Sequence, residues 1–471
     1  MSVSERIVTI NSLEREIFRA VCALGVELLK LALEKWDAEL SRERDRSIYR
    51  HKGKRRRTLK TVMGEVEYDR AVYETVDESG RKCSVYLLDE ALGLSGSGFL
   101  SGVLTEQIVR TACDSSFRET SRQISALTGQ TISHTAAWNV VQSVGKQLDH
   151  AEEQAAQRAA SRQISGEIEA KLLFEEQDGI YLKLQGNSRK KHGASAEMKL
   201  CIAYDGAKQT GKNQYELTNK VACAGFASAR EFRRRKEGQI ASVYDVDEVE
   251  LRVLGGDGAG WIKQSVSDET VHFQLDEFHR NRAVLRLVSD LDARKNILNL
   301  LHSKKIDLLL TVIEAYSDST MDESERENYL QLYSYFSSNK DGLIPYHRRG
   351  FSLPKPPDGK VYRRLGAMES NIFTIIGNRM KGRRACWSIA GGDNLARILC
   401  RKHTGRLSDA LENLDKSALP ERYAAEVQIA LSASRVPKRV GVGYNGFQRA
   451  DTLPSQKWLR DFLSYEPLHA M

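Results

Sequence analysis

Cysteine is scarce in this chain and is never paired in a Cys-x-x-Cys spacing. Seven cysteines occur among 471 residues, an odd number. They are Cys22, Cys83, Cys113, Cys201, Cys223, Cys386 and Cys400. This usage excludes the common cysteine-based structural zinc sites and argues against a disulfide framework, so it favours a reducing compartment.

Long apolar runs are also missing, because charged residues interrupt every apolar stretch well before the roughly 18 residues that a membrane span needs. The first residues, MSVSERIVTINSLEREI, lack the basic and then apolar pattern of a secretory leader. We therefore expect a cytoplasmic protein without a membrane span. Proline is sparse too: only eight are present, and four of them lie in residues 345–357, which predicts an irregular loop there.

Positive charge, by contrast, is in excess. The net charge is +8 and 28% of residues are charged, while 41% are hydrophobic, which is enough for globular cores. The sequence pI is about 9.0. A basic surface favours an anionic partner, with nucleic acid first and a membrane surface second. The length predicts two or three domains.

The most informative stretch is LRVLGGDGAGWI, residues 251–262. A short apolar run stops at two glycines and then presents Asp257. In α/β sheets, ligands and metals gather at the carboxyl ends of strands, and glycines let a backbone or substrate approach closely. Asp257 is therefore a candidate catalytic or metal-binding residue.

The order of predicted elements around Asp257 indicates the fold. Strands are predicted at 172–186, 197–207, 219–226, 251–258 and 271–279, with a basic turn at 188–194 and a helix before and after the fourth strand. This order, β-β-β-α-β-α-β, is that of an α/β ribonuclease H-like core. The predicted core covers 166–283 and 366–404, an all-helical insertion occupies 284–365, and the tail at 405–471 has no assignment.

An N-terminal helical and small-β region is expected to bind DNA. Residues 1–49 predict a long amphipathic helix, either a coiled-coil arm or a helix packed on its own domain. Residues 50–96 predict a small β region, preceded by the basic run Lys54, Arg55, Arg56 and Arg57, which is either a solvated loop or a phosphate-contacting arm.

Residues 97–165 are predicted to be helical, with a helix-turn-helix outline or the outline of any helical hairpin. Gly129 would end one helix and Ser133 would cap the next. If the hairpin reads DNA, His134, Thr135 and Asn139 lie where base contacts are made.

Three acids could form one site. Asp178 lies inside a predicted strand, Asp257 ends another, and Glu369 begins an amphipathic helix. Each alone is weak evidence, but a ribonuclease H-like sheet would bring all three together. Clustered carboxylates need a cation, and oxygen ligands select Mg²⁺ or Mn²⁺, so two ions are expected.

Basic and imidazole side chains lie close to these acids in sequence. His279 follows Asp276 by three residues and either orients a phosphate or carboxylate or simply packs beneath the site. A basic group near Glu369 is either a set of phosphate contacts or a solvated face. It comprises Arg379, Lys381, Arg383 and Arg384.

Taken jointly, the segments DGIYLKL (178–184), GGDGAGWI (255–262), LDEFHRNRA (275–283) and MESNIFTIIGNRMKGRRACWS (368–388) resemble the mutator-like DDE transposases of bacterial insertion sequences, especially the ISLre-type group. RRTLKTVMGEVEYDRAVY (56–73) is similar to that group's N-terminal segment. The resemblance covers roughly residues 50–400.

The resemblance implies that Asp178, Asp257 and Glu369 form the DDE triad and that Asp276 and His279 form the accompanying D-x-x-H motif. It implies a Mg²⁺-dependent enzyme that cuts at terminal inverted repeats and joins the freed 3′-hydroxyl to target DNA, as a homodimer or larger, associated with the nucleoid when bound to DNA. Two alternatives remain: a nuclease or host-recruited transposase without strand transfer, and a non-catalytic DNA-binding protein.

Overall fold

The computed structural model describes residues 9–93, 100–266, 269–382 and 384–412. They form two compact units. One comprises the described residues up to 106 together with 124–131, and the other comprises 107–123 and the described residues from 132 onward. Within these ranges, every helix is too short or too polar to cross a bilayer.

The first unit packs a long helix on a small antiparallel sheet. Its elements are α1 (Ile10–Glu43), β1 (Arg50–Lys60), β2 (Glu65–Val76), β3 (Lys82–Val85) and α2 (Leu87–Ala91), with sheet order β1-β2-β3. The core is formed mainly by Leu33, Trp36, Leu59, Val66, Tyr68 and Leu88. The buried carboxylate of Asp37 accepts the backbone N–H of Ala71, which joins the helix to the sheet.

The basic run at 50–57 is a strand, so the alternative of a solvated loop is wrong, whereas the phosphate-contacting role stays a prediction. Its residues pair with an acidic strand: Arg56 lies opposite Asp69 and Arg50 opposite Glu74. Opposite charges facing each other across strands stabilise such a ladder. A charge run by itself does not show whether an oppositely charged strand will pair with it.

Helix α1 has two apolar faces. Leu33 and Trp36, near its C-terminal end, are buried in the first unit. A second stripe, spaced by three and four residues, is exposed by 44–61%; it comprises Ile17, Val21, Leu24, Leu28 and Leu31. The C-terminal part of the predicted helix therefore packs on its own unit, whereas the stripe nearer its start is exposed. Residues 1–8 of the predicted segment lie outside the described residues.

Three helices occupy the predicted helical region: α3 (Gly102–Asp114), α4 (Phe117–Thr128) and α5 (His134–Ala160). Gly129 has φ +67°, a conformation that ends a helix readily because glycine lacks a Cβ. The hydroxyl of Ser133 accepts the backbone N–H of Ala136 at 3.0 Å. Both boundary predictions are thereby confirmed.

The second unit is built on a five-stranded sheet. The elements in order are β4 (Ile168–Glu169), β5 (Leu172–Lys183), α6 (Gly186–His192), β6 (Ser195–Tyr204), β7 (Ala207–Gly211), β8 (Gln214–Leu217), β9 (Val221–Gly225), α7 (Ala229–Ala241), β10 (Tyr244–Asp245), β11 (Leu251–Gly256), α8 (Gly260–Lys263) and β12 (Val271–Leu275). The sheet order is β12-β11-β5-β6-β9. Strands β12, β11 and β5 are parallel, whereas β6 and β9 are antiparallel to their neighbours.

The five main strands are present, but three local predictions differ from the structure. The fifth strand ends at Leu275, because Asp276 begins a helix. The predicted turn at 188–194 contains most of α6, and the hairpin of β7 and β8 was not predicted. Both missed elements are short and polar, so their sequences carry little hydrophobic periodicity.

Four helices follow the sheet: α9 (Glu277–Leu287), α10 (Leu291–His302), α11 (Ile306–Ser319) and α12 (Glu323–Ser338). They enclose a separate apolar core that includes Ile297, Leu309 and Leu332. The predicted all-helical insertion at 284–365 is thus helical in its first part, but residues 349–365 are not helical. After the proline-containing loop come α13 (Met368–Ile372), a π-helical turn (Phe373–Gly377), α14 (Asn378–Met380), α15 (Ile389–His403) and α16 (Leu407–Glu412). Most of the unassigned tail, residues 413–471, lies outside the described residues.

Candidate metal centre

Three aspartates lie at equivalent levels of neighbouring parallel strands: Asp257 and Asp276 directly follow β11 and β12, whereas Asp178 lies inside β5, where its parallel pairing with β11 ends. The ladder pairs Gly255 with Glu176 and Gly256 with Leu275. Continuing the same register places Asp257 opposite both Asp178 and Asp276. Adjacent strands lie about 4.8 Å apart, so the backbones of these residues form one acidic edge.

A tight turn fixes the backbone at Asp257. Its Oδ1 accepts the backbone N–H of Ala259 at 2.8 Å, and its carbonyl oxygen accepts the Tyr335 hydroxyl at 2.8 Å. Gly258 has φ +87°, and a Cβ there would lie 2.5 Å from the Asn339 side chain. A glycine is therefore required for both conformation and space.

The three-residue spacing of Asp276 and His279 is that of a helix cap. Asp276 is the N-cap of α9, and its Oδ1 accepts the backbone N–H of His279 at 3.0 Å. Asp276 is buried and directs the first turn of the helix. The cap orients His279 towards the acidic edge.

His279 lies between two of the predicted catalytic carboxylates. Its Nε2 is 3.6 Å from Asp178 Oδ2 and 3.3 Å from Glu369 Oε1. One ligand atom from each of these three residues lies within 4.8 Å of the others. Side chains nearly 200 residues apart in sequence thus converge on one point.

The electrostatics of this cluster favour a protonated imidazole. The hydrogen bond to Asp178 raises the pKa of His279 above its ordinary value, and the negative charges of Asp178, Asp276 and Asp257 act in the same direction. Partial burial opposes them by lowering the pKa. An imidazolium placed there offsets the repulsion between the two carboxylates.

Asp257 is not one of the three residues that converge. The sequence predicts Asp178, Asp257 and Glu369 in one cluster, whereas the structure groups Asp178, His279 and Glu369. The Asp257 side chain is turned to its own loop, where it accepts the Ala259 N–H. Its negative charge nevertheless reaches His279, whose pKa it raises.

A fourth carboxylate, Glu176, was missed by the sequence reasoning. It is buried on β5, two residues before Asp178 and so on the same face of the strand. Its oxygens accept the backbone N–H groups of Gly366, Ala367 and Met368 at 2.9, 3.2 and 3.1 Å. It therefore holds the start of the helix that carries Glu369. The only signal was an acid inside the apolar run LLFEEQD.

The converging side chains fit a divalent cation. Two carboxylates supply the oxygen ligands that Mg²⁺ and Mn²⁺ prefer, and the imidazole nitrogen suits Mn²⁺ better than Mg²⁺. Asp178 and Glu369 would hold the ion, with His279 as a third ligand or as a hydrogen-bond donor to a carboxylate. The expectation of two ions remains a prediction, since it requires the Asp257 carboxylate as well.

The predicted DNA contacts in the first unit differ in their surroundings. Lys54, Arg55 and Arg56 are exposed on β1. Arg57 is half-buried and forms a salt bridge with Asp89, which also pairs with Arg70 at 2.8 Å. Arg57 is thus bound to its own fold, and the three exposed residues remain the candidates for phosphate contacts.

Most of the predicted DNA contacts in the second unit are exposed. His134, Thr135 and Asn139 are exposed on the first turns of α5, as a base-reading role requires. Lys381 and Arg384 are exposed, and Arg383 lies outside the described residues.

Arg379 has a structural environment instead. Its Nε donates to the Ala112 carbonyl at 2.7 Å, and its guanidinium lies over the rings of Phe117 and Trp387. These contacts hold it inside the second unit.

Comparison with known proteins identifies relatives without assigning an activity. A family model described as an uncharacterised protein family, UPF0236, matches residues 3–417. A UPF0236 protein from the vanSb 3′ region of Streptococcus gallolyticus is 24% identical over 431 residues, covering 89% of this chain and 88% of the relative. A UPF0236 protein of Caldanaerobacter subterraneus subsp. tengcongensis is 22% identical, and the alignment covers 74% of this chain and 68% of the relative. A second one from the same organism is 24% identical, and the alignment covers 69% of this chain and 65% of the relative.

Proposed function

The chain belongs to the uncharacterised protein family UPF0236, and we propose that it is a mutator-like DDE transposase of the ISLre type, which cuts and joins DNA at the ends of an insertion sequence. The observation that carries this proposal is the convergence of Asp178, Glu369 and His279. They meet beside the carboxyl ends of β11 and β12, the edge of the sheet where α/β folds place their chemistry.

The strand arrangement supports the same proposal. Three parallel strands extended on one side by two strands in antiparallel pairing, in the order β12-β11-β5-β6-β9, are what a ribonuclease H-like core requires. The helical segment from α9 to α12 separates the second acid from Glu369, as the resemblance implies. A fold can host many activities, so the acidic edge carries more weight than the topology.

In the proposed chemistry, each of these side chains has a separate role. A bound Mg²⁺ or Mn²⁺ would stabilise the negative charge of the reacting phosphodiester and activate the attacking hydroxyl or water. Asp178 and Glu369 would hold that ion, and Glu176 fixes the helix bearing Glu369. His279 donates its proton to a carboxylate or to a phosphate oxygen. Asp257 would join them only through a change of side-chain rotamer, because its Oδ1 accepts the Ala259 N–H in this structure.

The proposed partners are the terminal inverted repeats and the target DNA, bound by a homodimer or larger assembly in the cytoplasm. The basic composition and the exposed cations of β1 favour such a polyanion. One relative also bears on this: its name joins eleven numbered designations from a single strain. If each designation is one gene copy, the strain carries eleven copies, as expected of an element that inserts repeatedly into a genome.

The test is a cleavage assay on labelled duplexes carrying the DNA that flanks the gene, with Mg²⁺, Mn²⁺ or EDTA. Metal-dependent nicking that is lost in Asp178→Ala, Asp257→Ala and Glu369→Ala supports the proposal. Cleavage that persists in all three variants would refute it. Pre-cut ends then separate a transposase, which joins them to target DNA, from a nuclease that only cuts.

A further inference from the structure

A cavity of about 900 Å³ lies beside the helix that carries Glu369. Its wall combines the β7–β8 hairpin, the segment from Arg363 to Asn371 and the end of α15. Among the described residues that line it, Glu216 is the single acidic one, whereas five are basic: Lys220, Arg363, Arg364, His403 and Arg406. Polar groups complete the wall, including those of Asn219, Ser370 and Thr404.

Within the part of the chain that the structure describes, none of these five side chains, all exposed or only partly buried, has a carboxylate within salt-bridge distance. Lys220 Nζ donates to the neutral Asn371 side chain at 3.0 Å. By contrast, the buried Lys236 in the same unit pairs with Glu175 at 2.5 Å and Glu237 at 2.8 Å. Buried cations are normally paired in this way, because leaving water without a counter-charge is costly.

Partial burial disfavours the charged form of three of these groups. It lowers the pKa of Lys220, of His403 and of Arg406 below their ordinary values. Neighbouring cations add to the effect at His403, where Lys402 and Lys220 act in the same direction. An anion in the cavity would offset the repulsion among these basic groups.

We propose that this cavity binds the phosphate group of a nucleotide. The clustered arginines provide planar, bidentate donors for tetrahedral oxyanions, and the excess of positive charge exceeds what one carboxylate would neutralise. The volume is within the range of ligand pockets and leaves space for a sugar and base beside the phosphate.

Two sources of this phosphate fit the location. Ser370 and Asn371 line the cavity and directly follow Glu369 in sequence, so a DNA strand at the metal centre lies within reach of it. A free nucleotide is the other source. The DNA source rests on the proposed function, whereas phosphate binding by the cavity does not. Asp178→Ala removes cleavage without touching the cavity, so a failure of the proposed function can be distinguished from a failure of phosphate binding.

The experiment measures thermal stability of the full chain with inorganic phosphate or 5′-AMP against chloride at equal ionic strength. Lys220→Met and Arg406→Gln remove charge from the cavity. Lys212→Met is the matched control, since Lys212 is exposed in the neighbouring hairpin and does not line the cavity. We expect phosphate to raise the Tm of wild type, Lys212→Met and Asp178→Ala, with at least about tenfold weaker affinity in both cavity variants.

A labelled 12-nucleotide single strand then identifies the source. If DNA supplies the phosphate, Lys220→Met weakens binding and lowers the slope of log K against log salt by about 0.7. If 5′-AMP binding falls while DNA binding is unchanged, a free nucleotide is the ligand. Equal phosphate-induced Tm shifts in wild type and both cavity variants would overturn the inference, as would no shift in wild type.

Discussion

Glu176 accepts a hydrogen bond from the backbone N–H of Met368 at 3.1 Å, which joins β5 to the helix that carries Glu369. Together with the N–H groups of Gly366 and Ala367, this gives one buried carboxylate three backbone donors at a helix start. The same strand carries Asp178 two residues later. The spacing between the two candidate metal ligands therefore depends on a residue that need not touch the metal.

Glu176→Gln should reduce metal affinity as well as stability. An amide has only one acceptor oxygen, so at least one backbone N–H at the helix start is left without its partner, at a cost of about 1–3 kcal/mol in the free energy of unfolding. Calorimetric titration of Mn²⁺ at a temperature where the variant is folded measures the affinity.

Tyr204→Phe is the control for Glu176→Gln. The Tyr204 hydroxyl also donates to Glu176, but Tyr204 lies outside the helix that carries Glu369. It should leave Mn²⁺ affinity close to that of wild type. Equal decreases of affinity in the two variants would show that Glu176 acts through general stability and not through the position of Glu369.

The stability contributed by His279 should decrease as pH rises. Its folded pKa lies above the unfolded value of about 6.5, so its contribution is fully present below that value and is lost as pH increases through the folded pKa. The difference in Tm between wild type and His279→Gln, in EDTA, should be larger at pH 6 than at pH 9. The energy involved is about 1 kcal/mol or less.

His272 provides a control of opposite sign. Burial and the neighbouring Arg349 lower its pKa, so protonating it below about pH 6.5 destabilises the fold. His272→Gln should therefore gain stability relative to wild type as the pH falls. Parallel pH profiles for the two histidine variants would contradict the assignment of His279 as a cation between carboxylates.

Metal affinity should rise with pH if His279 is a ligand, because the ion must displace its proton. We expect Mn²⁺ to raise the Tm of wild type more at pH 8 than at pH 6 and to have little effect on Asp178→Asn or Glu369→Gln. A Tm shift retained in Asp257→Asn would assign the first ion to Asp178, Glu369 and His279 alone; its absence would place Asp257 in the same site.

Neighbouring cations of β1 should have separable effects. Replacing Lys54, Arg55 and Arg56 by glutamine should weaken duplex binding and reduce the salt slope by about 0.9 for each phosphate that is no longer neutralised. Arg57→Gln should instead destabilise the first unit by roughly 1–3 kcal/mol, because it removes a partner of the buried Asp89. Fluorescence anisotropy and thermal melts measure the two effects. Duplex affinity unchanged by the triple replacement would exclude β1 from DNA binding.

The sequence alone determined much of the local structure in the second unit. The apolar runs predicted the five main strands, the Ser133 cap predicted the start of α5, and Asp257 was correctly expected at the end of a strand. These features depend on residues near one another in the chain, where periodicity and capping preferences act directly.

Only the tertiary structure decided which charged groups meet. It grouped His279 with Asp178 and Glu369 and turned the Asp257 carboxylate into its own loop. It also paired Arg57 with Asp89 and placed Glu176 under a helix about 190 residues away. Such pairings depend on strand order, rotamers and packing between distant segments. The sequence supplies the donors and acceptors, but the fold brings each to its partner.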